Sequence, residues 1–226
     1  MVENVQDRLR EEKKYIPLAI GYGIMHSLST NMWNNYLHAH KGVTEFRPLD
    51  MPDYAAEREV LDRRVDLGFT IGPVDESCFE ARLLKRSRMY LILAQTHHLY
   101  QKETVCIEDI KHFGRFAYSR SFKSRENIER FCRAHGFEYT SHYESSDLAS
   151  LIQMSTENRG IFIIPECYAD LGRIGVRYVP LPKNELSWDI YMIRRRNEKL
   201  PLRLEELWNY CIAFCNQHHA HTLDDK

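Results

Sequence analysis

Several features that mark other protein classes are missing from this sequence of 226 residues. No apolar run approaches the roughly 18–20 residues that a membrane-spanning helix needs. The first 14 residues, MVENVQDRLREEKK, lack the apolar core of a signal peptide, so we do not expect export. The formal net charge is only −1, which gives no electrostatic reason to expect binding to nucleic acid or to a membrane surface.

A CxxC motif is also missing, because the six cysteines are scattered along the chain. In a long chain without a signal sequence we expect free thiols in a reducing cytoplasm. Cys211 and Cys215 are followed by His218, His219 and His221, which could suggest a metal site. Both cysteines fall on the apolar stripe of a predicted helix, where buried free thiols are common. We therefore expect no metal and no other cofactor.

Diagnostic catalytic motifs are equally scarce. The sequence has no GxSxG elbow, no Walker motif, no HExxH motif and no glycine-rich dinucleotide fingerprint. The basic run at residues 194–196 is only three residues long and is expected to be a solvated strand end. We expect that the protein is not an enzyme.

What the sequence does contain is an alternation of strand and helix patterns. The segment RRVDLGFTIGP, residues 63–73, carries a short apolar run that stops at Gly72 and Pro73. Such a run suits a strand buried on both faces. Strands are also predicted in residues 15–23 and 43–49, with a helix after each of them. The order strand, helix, strand, helix, strand predicts parallel pairing with right-handed crossovers.

The pattern restarts after a long strand predicted within residues 79–94. The segment GIFIIP, residues 160–165, repeats the design of the first buried strand, and a final helix is predicted at residues 202–216. Two such halves predict an α/β protein of two Rossmann-like lobes with a ligand cleft between them. We expect residues 15–91 and 194–218 to form the first lobe, residues 92–193 the second, and residues 219–226 a polar tail.

The order of the motifs resembles a known family. The segments that carry the resemblance are PLAIGYGIMHSL, VTEFRPLD, RRVDLGFTIGP, FEARLLKRSRMYLILAQTHHLY, CIEDIKHFGRFAYS, YESSDLASLIQMSTENRGIFIIPECYA, VPLP and the final helix. Together they are similar to the effector-binding domain of LysR-type transcriptional regulators, which has the type 2 periplasmic-binding-protein fold. The resemblance covers nearly all of residues 15–216. Each motif is weak alone, and their order and spacing are fairly specific.

The resemblance implies a bacterial, cytoplasmic regulator that binds a small-molecule effector and forms a homodimer or tetramer. DNA would be bound only through a winged helix–turn–helix that this sequence does not contain, and no membrane partner is implied. Residues 2–14 would match the end of the family's dimerising linker helix, although their narrow apolar stripe fits a frayed terminal helix equally well.

Two alternatives on the same fold stay open. One is a solute-binding protein of a transport system, against which the missing signal peptide counts. The other is an enzyme, which would need an acid and base pair in the cleft. The sequence reveals no such pair.

Candidate ligand-binding residues in the first lobe follow two predicted strands. Ligands of open α/β sheets bind beyond the carboxyl ends of the strands, which points to Thr70, Ile71 and Gly72. The loop Met25, His26, Ser27 and Leu28 precedes a predicted helix, whose N-terminus would favour a carboxylate. Capping of that helix by Ser27 or Ser29 is the simpler role for a serine here, and it is compatible with ligand contact.

Candidates in the second lobe lie at strand-to-helix junctions. Arg120 could bind a carboxylate bidentately with help from Ser119 and Ser121, or it could be a solvated side chain. At the next junction Asp147 or Ser146 is expected to cap a helix, and ligand contact by Asp147 and Leu148 is the second possibility. Ile164 and Pro165 would add an apolar wall. We expect the effector to be a carboxylate or an aromatic compound.

Overall fold

The protein is described by a computed structural model over residues 15–41, 45–169 and 174–219. Residues 1–14, which we predict to end a linker helix, and residues 220–226 of the predicted tail lie outside this part of the chain. The described residues form two compact units. The first contains the residues up to Lys85 and those from Asp189 onward, and the second contains Arg86–Trp188.

The first unit follows the predicted order of strands and helices. Its elements are β1 (Tyr15–Gly21), α1 (Ile24–Ser27), α2 (Thr30–Ala39), β2 (Glu45–Met51), α3 (Asp53–Leu61), β3 (Leu67–Ile71), the first part of β4 (Phe79–Ala94), most of β9 (Ser187–Arg195) and α7 (Leu202–His219). β1 lies between β2 and β3 and is parallel to both, which confirms the predicted parallel pairing. β9 then pairs with β3 in antiparallel orientation, and β4 lies on the other side of β9.

The core of the first unit is built around β3, whose five residues are all buried. Gly68 in this strand allows an unusually close approach of its neighbours. A Cβ atom at this position would lie 2.7 Å from Cγ2 of Val60 on α3 and 3.2 Å from Cγ1 of Ile193 on β9. The core cluster of buried residues here is Ala19, Ala56, Val60, Val65, Phe79 and Ile193.

The second unit is also an α/β arrangement. Its elements are the rest of β4, a 3-10 turn (Ile107–Ile110), β5 (Phe116–Tyr118), α4 (Lys123–Ala134), β6 (Tyr143–Ser145), α5 (Leu148–Thr156), β7 (Phe162–Pro165), α6 (Glu166–Ala169) and β8 (Val176–Pro180). β4 pairs antiparallel with both β7 and β8. β5 and β6 are parallel, and a parallel bridge between Arg115 and Ile161 places β5 beside β7.

A buried arginine explains why one predicted strand is short. The sequence predicts a strand over residues 138–145, but β6 begins only at Tyr143. Arg115 is buried and donates to the carbonyl and hydroxyl oxygens of Thr140 at 3.2 and 2.9 Å and to the carbonyl of Ile110 at 2.8 Å. The backbone carbonyl of Thr140 thus bonds to this guanidinium and not to a neighbouring strand.

The chain passes between the units within β4, after Lys85, and again within β9, before Asp189. The lobe boundaries predicted from the sequence, at residues 91 and 194, lie in the same two strands. The expectation of a solvated basic strand end at residues 194–196 is wrong for Arg194 and Arg195, whose side chains are only 14% and 12% exposed. Within the described residues, no helix combines the length and apolarity that crossing a bilayer requires.

One histidine of the second unit is buried in the loop after β4. The Nδ1 atom of His97 accepts a hydrogen bond from the Leu99 N–H at 3.2 Å. Its ring stacks on His98 with centroids 4.6 Å apart and meets the edge of Phe113 at 5.0 Å. Burial, and then the neighbouring His98, lower the pKa of His97 below its ordinary value of 6.5. The folded chain therefore favours the neutral imidazole.

We predict that Gly68→Ala destabilises the protein by about 1–3 kcal/mol, the usual cost of overpacking a core. Val60 and Ile193 are themselves buried and have little room to move away from the new methyl group. Urea unfolding followed by circular dichroism measures the change. Gly114→Ala is the control, since the nearest atom to its added Cβ is 3.7 Å away. Equal losses of stability in both variants would contradict the packing described for Gly68.

We also predict a pH dependence of stability that comes from His97. Its pKa is lower in the folded chain than in the unfolded chain, so the unfolded chain binds the proton first as the pH falls. The free energy of unfolding should therefore decrease as the pH drops from above the ordinary value of 6.5 towards the lower folded pKa. His97→Asn keeps an acceptor for Leu99 and removes the titration.

Urea unfolding at pH 7.5 and pH 5.5, conditions on either side of the ordinary histidine pKa of roughly 6.5, tests this prediction. The Asn variant should lose less stability than the parent protein on acidification. His142→Asn, at an exposed position, should behave like the parent. A pH dependence unchanged in His97→Asn would refute the assignment.

Candidate functional site

The candidate residues of the first unit share one edge of its sheet. The carboxyl ends of the parallel strands β1 and β3 meet there, as the pairing of Ile20 with Phe69 shows. α1 follows β1 and Gly72 follows β3, so residues 25–28 and 70–72 lie at this edge. Thr70 and Ile71 are fully buried, and Gly72 is partly exposed. The structure therefore leaves Gly72 as the accessible member of the β3 group.

Thr70 and Gly72 already have partners within the unit. The hydroxyl of Thr70 donates to Oε1 of Glu57 at 3.1 Å, and the N–H of Gly72 donates to the carbonyl of Asp189 at 2.9 Å. A Cβ atom at Gly72 would lie 2.9 Å from the ring of Tyr191. The end of β3 is thus held against β9 and α3 by backbone and side-chain contacts.

The segment predicted as a loop before α2 contains one helical turn, α1. It starts after Gly23, whose φ of 83° is in the left-handed region that glycine adopts at low cost. Met25 is half-buried, His26 is exposed, and Ser27 and Leu28 are buried. Nζ of Lys85 donates to the carbonyl of Ser27 at 2.7 Å, which fixes the end of the turn.

The two serines that could cap α2 have different surroundings. Ser29 caps α2, because its hydroxyl accepts from the N–H of Asn31 at 3.3 Å. The hydroxyl of Ser27 is buried and has no hydrogen-bond partner among the described residues. A buried hydroxyl without a partner is costly, so Ser27 is an exception among the buried polar groups of this edge.

The candidate residues of the second unit also meet at one edge. The bridge between Arg115 and Ile161 is parallel, so Ser119 beyond β5 is level with Pro165 at the end of β7. The parallel pairing of β5 with β6 brings residues 146–148 to the same edge. Ile164 and Pro165 are buried, and Leu148 is half-buried. Both units therefore gather their predicted residues at carboxyl ends of parallel strands.

Three serine hydroxyls form a connected group at this edge. Oγ of Ser119 lies 2.7 Å from Oγ of Ser121 and 2.8 Å from Oγ of Ser146. The N–H of Ser119 also donates to the carbonyl of Ser145 at 3.0 Å. We refer to Ser119, Ser121 and Ser146 as the serine cluster. Sequence reasoning considered Ser146 mainly as a helix cap and missed its hydrogen bond to Ser119.

The cap of α5 is Asp147, as the default sequence interpretation predicts. Its carboxylate accepts from the N–H groups of Ala149 at 3.1 Å and Ser150 at 3.3 Å, and also from the Ser150 hydroxyl. The bonds from Ser150, and then the one from Ala149, lower the pKa of Asp147. The negative charge of Asp147 is therefore stabilised by hydrogen bonds within the first turn of α5, beside the serine cluster.

Two arginines supply positive charge near the serine cluster. Arg120 is exposed, whereas Arg125 is buried and pairs with Glu129 and, at 2.9 Å, with Glu144. A hydrogen bond from Ser141, followed by the charges of Arg125 and Arg120, lowers the pKa of Glu144. Arg125 is a second residue that sequence reasoning missed. A buried arginine on a helix otherwise rich in charge gives no local signal.

Three of the cysteines are buried as free thiols. Cys211 and Cys215 are buried on α7 as predicted, and burial raises the pKa of Cys215 to about 11 and that of Cys211 still further. Burial likewise raises the pKa of Cys132, in the second unit, to about 12. In the described part of the chain, no group of three or more His, Cys, Asp or Glu side chains is placed to hold a metal ion. His221 lies outside the described residues.

A family model and a curated relative identify the same kind of protein. The family model described as LysR substrate binding domain matches residues 35–216. A curated relative, the uncharacterized HTH-type transcriptional regulator YwbI of Bacillus subtilis (strain 168), is 23% identical over 186 residues. These residues cover 82% of this chain and 60% of YwbI, so the chain spans less than two thirds of that relative.

Solved structures show the same fold. The BenM effector binding domain with its effector benzoate aligns with a TM-score of 0.78 and 19% identity, over 95% of this chain and 96% of that chain. The effector binding domain of QuiR in complex with shikimate aligns with a TM-score of 0.82 and 14% identity, over 90% and 98% of the two chains. These likenesses confirm the predicted type 2 periplasmic-binding-protein-like fold.

We predict that Asp147→Ala lowers the urea midpoint of unfolding, because two N–H groups and the Ser150 hydroxyl lose their acceptor. Asp147→Asn should retain most of the stability, since its amide oxygen still accepts at the cap. Glu138→Ala, at a carboxylate that is 75% exposed, serves as the control and should be nearly neutral. The capping role would be wrong if Asn were no better than Ala.

Proposed function

The chain belongs to the LysR substrate binding domain family, and on this premise we propose that it is the effector-binding part of a transcriptional regulator. In a longer protein, effector binding would shift the population of conformations and so change DNA binding by a helix–turn–helix domain. The YwbI relative, an HTH-type regulator of which this chain spans 60%, supports a whole protein of this kind.

The serine cluster is the observation that carries the proposed ligand class. The hydroxyls of Ser121 and Ser146 lie 2.7 and 2.8 Å from the hydroxyl of Ser119, next to the first turns of α4 and α5. Helix N-termini carry partial positive charge and hydroxyls can donate, so this edge suits an anionic oxygen. We infer a small carboxylate as the effector. Benzoate and shikimate, held by the BenM and QuiR domains, are carboxylates as well.

Arg120 supplies positive charge beside the serine cluster, which also favours an anionic effector. It is exposed in the turn between β5 and α4, and Arg125 already neutralises Glu144 by a direct ion pair at 2.9 Å. Arg120 is therefore left to attract an incoming anion, and its guanidinium can bind a carboxylate in two-pronged geometry. In the first unit we assign a ligand contact to Ser27, whose buried hydroxyl otherwise has no described partner.

We propose binding without chemical conversion of the effector. At the edge of the second unit the hydroxyls of the serine cluster bond to one another, and the carboxylate of Asp147 caps α5. Membership in this family of transcriptional regulators also supports two further proposals for the whole protein, a location in the cytoplasm and a homodimeric or tetrameric assembly. Neither edge offers the coupled acid and base pair that general acid–base catalysis needs among the described residues.

The proposal predicts saturable binding of a small carboxylate or aromatic acid to the chain. Isothermal titration calorimetry with a panel that includes benzoate and shikimate should identify at least one ligand. Ser119→Ala and Arg120→Ala should each weaken its binding by about tenfold, the usual effect of removing one hydrogen bond to a charged group. Ser77→Ala, which removes an exposed hydroxyl in the turn before β4, should leave affinity unchanged.

Two outcomes would sink the assignment. One is a panel in which no compound binds saturably. The other is a ligand whose affinity is the same in the parent, Ser119→Ala and Arg120→Ala. Circular dichroism of each variant separates loss of binding from loss of fold.

A further inference from the structure

A charged cavity lies in the first unit, at the end of β9 that is remote from Gly72. Its volume is about 530 Å³, and its lining residues are Glu76, Phe79, Glu80, Ala81, Arg82, Arg194, Arg196, Asn197, Glu198 and Lys199. Ile71 pairs with Ile190 and Leu67 pairs with Arg194, so Gly72 and the cavity are at opposite ends of the strand. From Asp189 to Arg196 the separation is about 23 Å at the rise of a strand.

The walls of the charged cavity are fixed by bonds within the protein. The N–H of Arg196 donates to the carbonyl of Cys78 at 2.9 Å, and its guanidinium donates to the carbonyl of Glu76. Glu198 pairs with Arg195 at 2.6 Å and with Arg63 at 2.5 Å. A cavity held open in this way costs little further ordering when a ligand enters.

Most charges in the lining neutralise one another. Arg194 lies 2.7 Å from both Glu80 and Glu205 and stacks on Trp208 with its guanidinium 4.6 Å from the ring. Arg82 adds a second contact to Glu80 at 2.9 Å. These groups and the Glu198 pairs leave little net field of their own.

Three lining groups stay outside these pairs. Arg196 and Lys199 are exposed and form no ion pair with any described carboxylate, and the side chain of Glu76 likewise has no described cationic partner. Two cations against one carboxylate leave an excess of positive charge in the charged cavity. A guanidinium and an ammonium on one short segment suit an anionic oxygen group.

The charged cavity opens at the edge of the sheet where β1 begins. Leu18 pairs with Leu67, and Leu67 pairs with Arg194, so Tyr15 lies at the same edge as residues 194–199. β3 and β9 separate β1 from β4, which is about 14 Å across three strand spacings. The chain that precedes Tyr15 thus joins the unit on the side of the cavity.

We propose that the charged cavity is a second ligand site, which binds a small anion carrying a carboxylate or phosphate group through Arg196 and Lys199. The site is separate from the effector edge and does not depend on the function proposed for it. The negative charge of Glu76 repels the anion and so limits the affinity of the charged cavity for it. An occupant would lie at the same edge of the sheet as the start of β1.

Amide chemical shifts in nuclear magnetic resonance titrations test this proposal with two probes, inorganic phosphate and succinate, at constant ionic strength maintained with chloride. We expect saturable shifts at Asn197 and Lys199. Lys199→Gln should weaken the response at least tenfold, whereas Lys183→Gln, at an exposed lysine of the second unit, should not change it. Glu76→Gln should tighten binding severalfold, because it removes the opposing charge and keeps the carbonyl that Arg196 binds.

The outcomes divide clearly. A response to phosphate alone identifies a phosphate site, a response to succinate alone identifies a carboxylate site, and either supports the proposal. Unsaturable shifts, shifts that chloride reproduces, or shifts that persist in Lys199→Gln overturn it. Ser119→Ala must leave the titration unchanged, so a failed effector panel and a failed anion titration are distinguishable results. Lys199→Gln and Glu76→Gln preserve the wall bonds, which keeps both variants informative.

Discussion

The antiparallel pairing of β3 with β9 is the contact on which the first unit depends. Residues 67–71 meet residues 190–194 after the chain has built the whole second unit, so the closure of a long loop opposes this pairing. Complete burial of β3 and the close contacts that Gly68 permits offset that cost. The effector edge of this unit and the charged cavity both depend on this pairing, because they lie at opposite ends of β9.

The fold was accessible from sequence where burial leaves a local pattern. A parallel strand covered on both faces is a short apolar run between Gly or Pro residues, and β3 and β7 are both of this kind. The local pattern does not predict the secondary structure where long-range polar contacts determine it. Arg115 holds the backbone at Thr140 away from the sheet, and no property of residues 138–142 alone encodes that.

The same distinction applies to the candidate sites. Asp147 caps α5 as its position predicts, since capping depends on neighbours two and three residues away. The contact of Ser146 with Ser119 spans 27 residues and follows from the register of β5 and β6. Arg194 and Arg195 differ from the sequence expectation for a similar reason. Each has one carboxylate partner in a distant segment, Glu80 for Arg194 and Asp66 for Arg195, and both side chains are largely removed from solvent.

The rate at which a buried thiol reacts with an alkylating reagent reports how often the unit around it opens. Alkylating reagents attack the thiolate, and burial raises the pKa of Cys132 to about 12 and that of Cys215 to about 11. These thiols react only when the structure around them opens. Cys132 belongs to the second unit and Cys215 to the first, whereas Cys106 is exposed in the native fold. Reaction times at the two buried sites would therefore rank the local stabilities of the units in a single native chain.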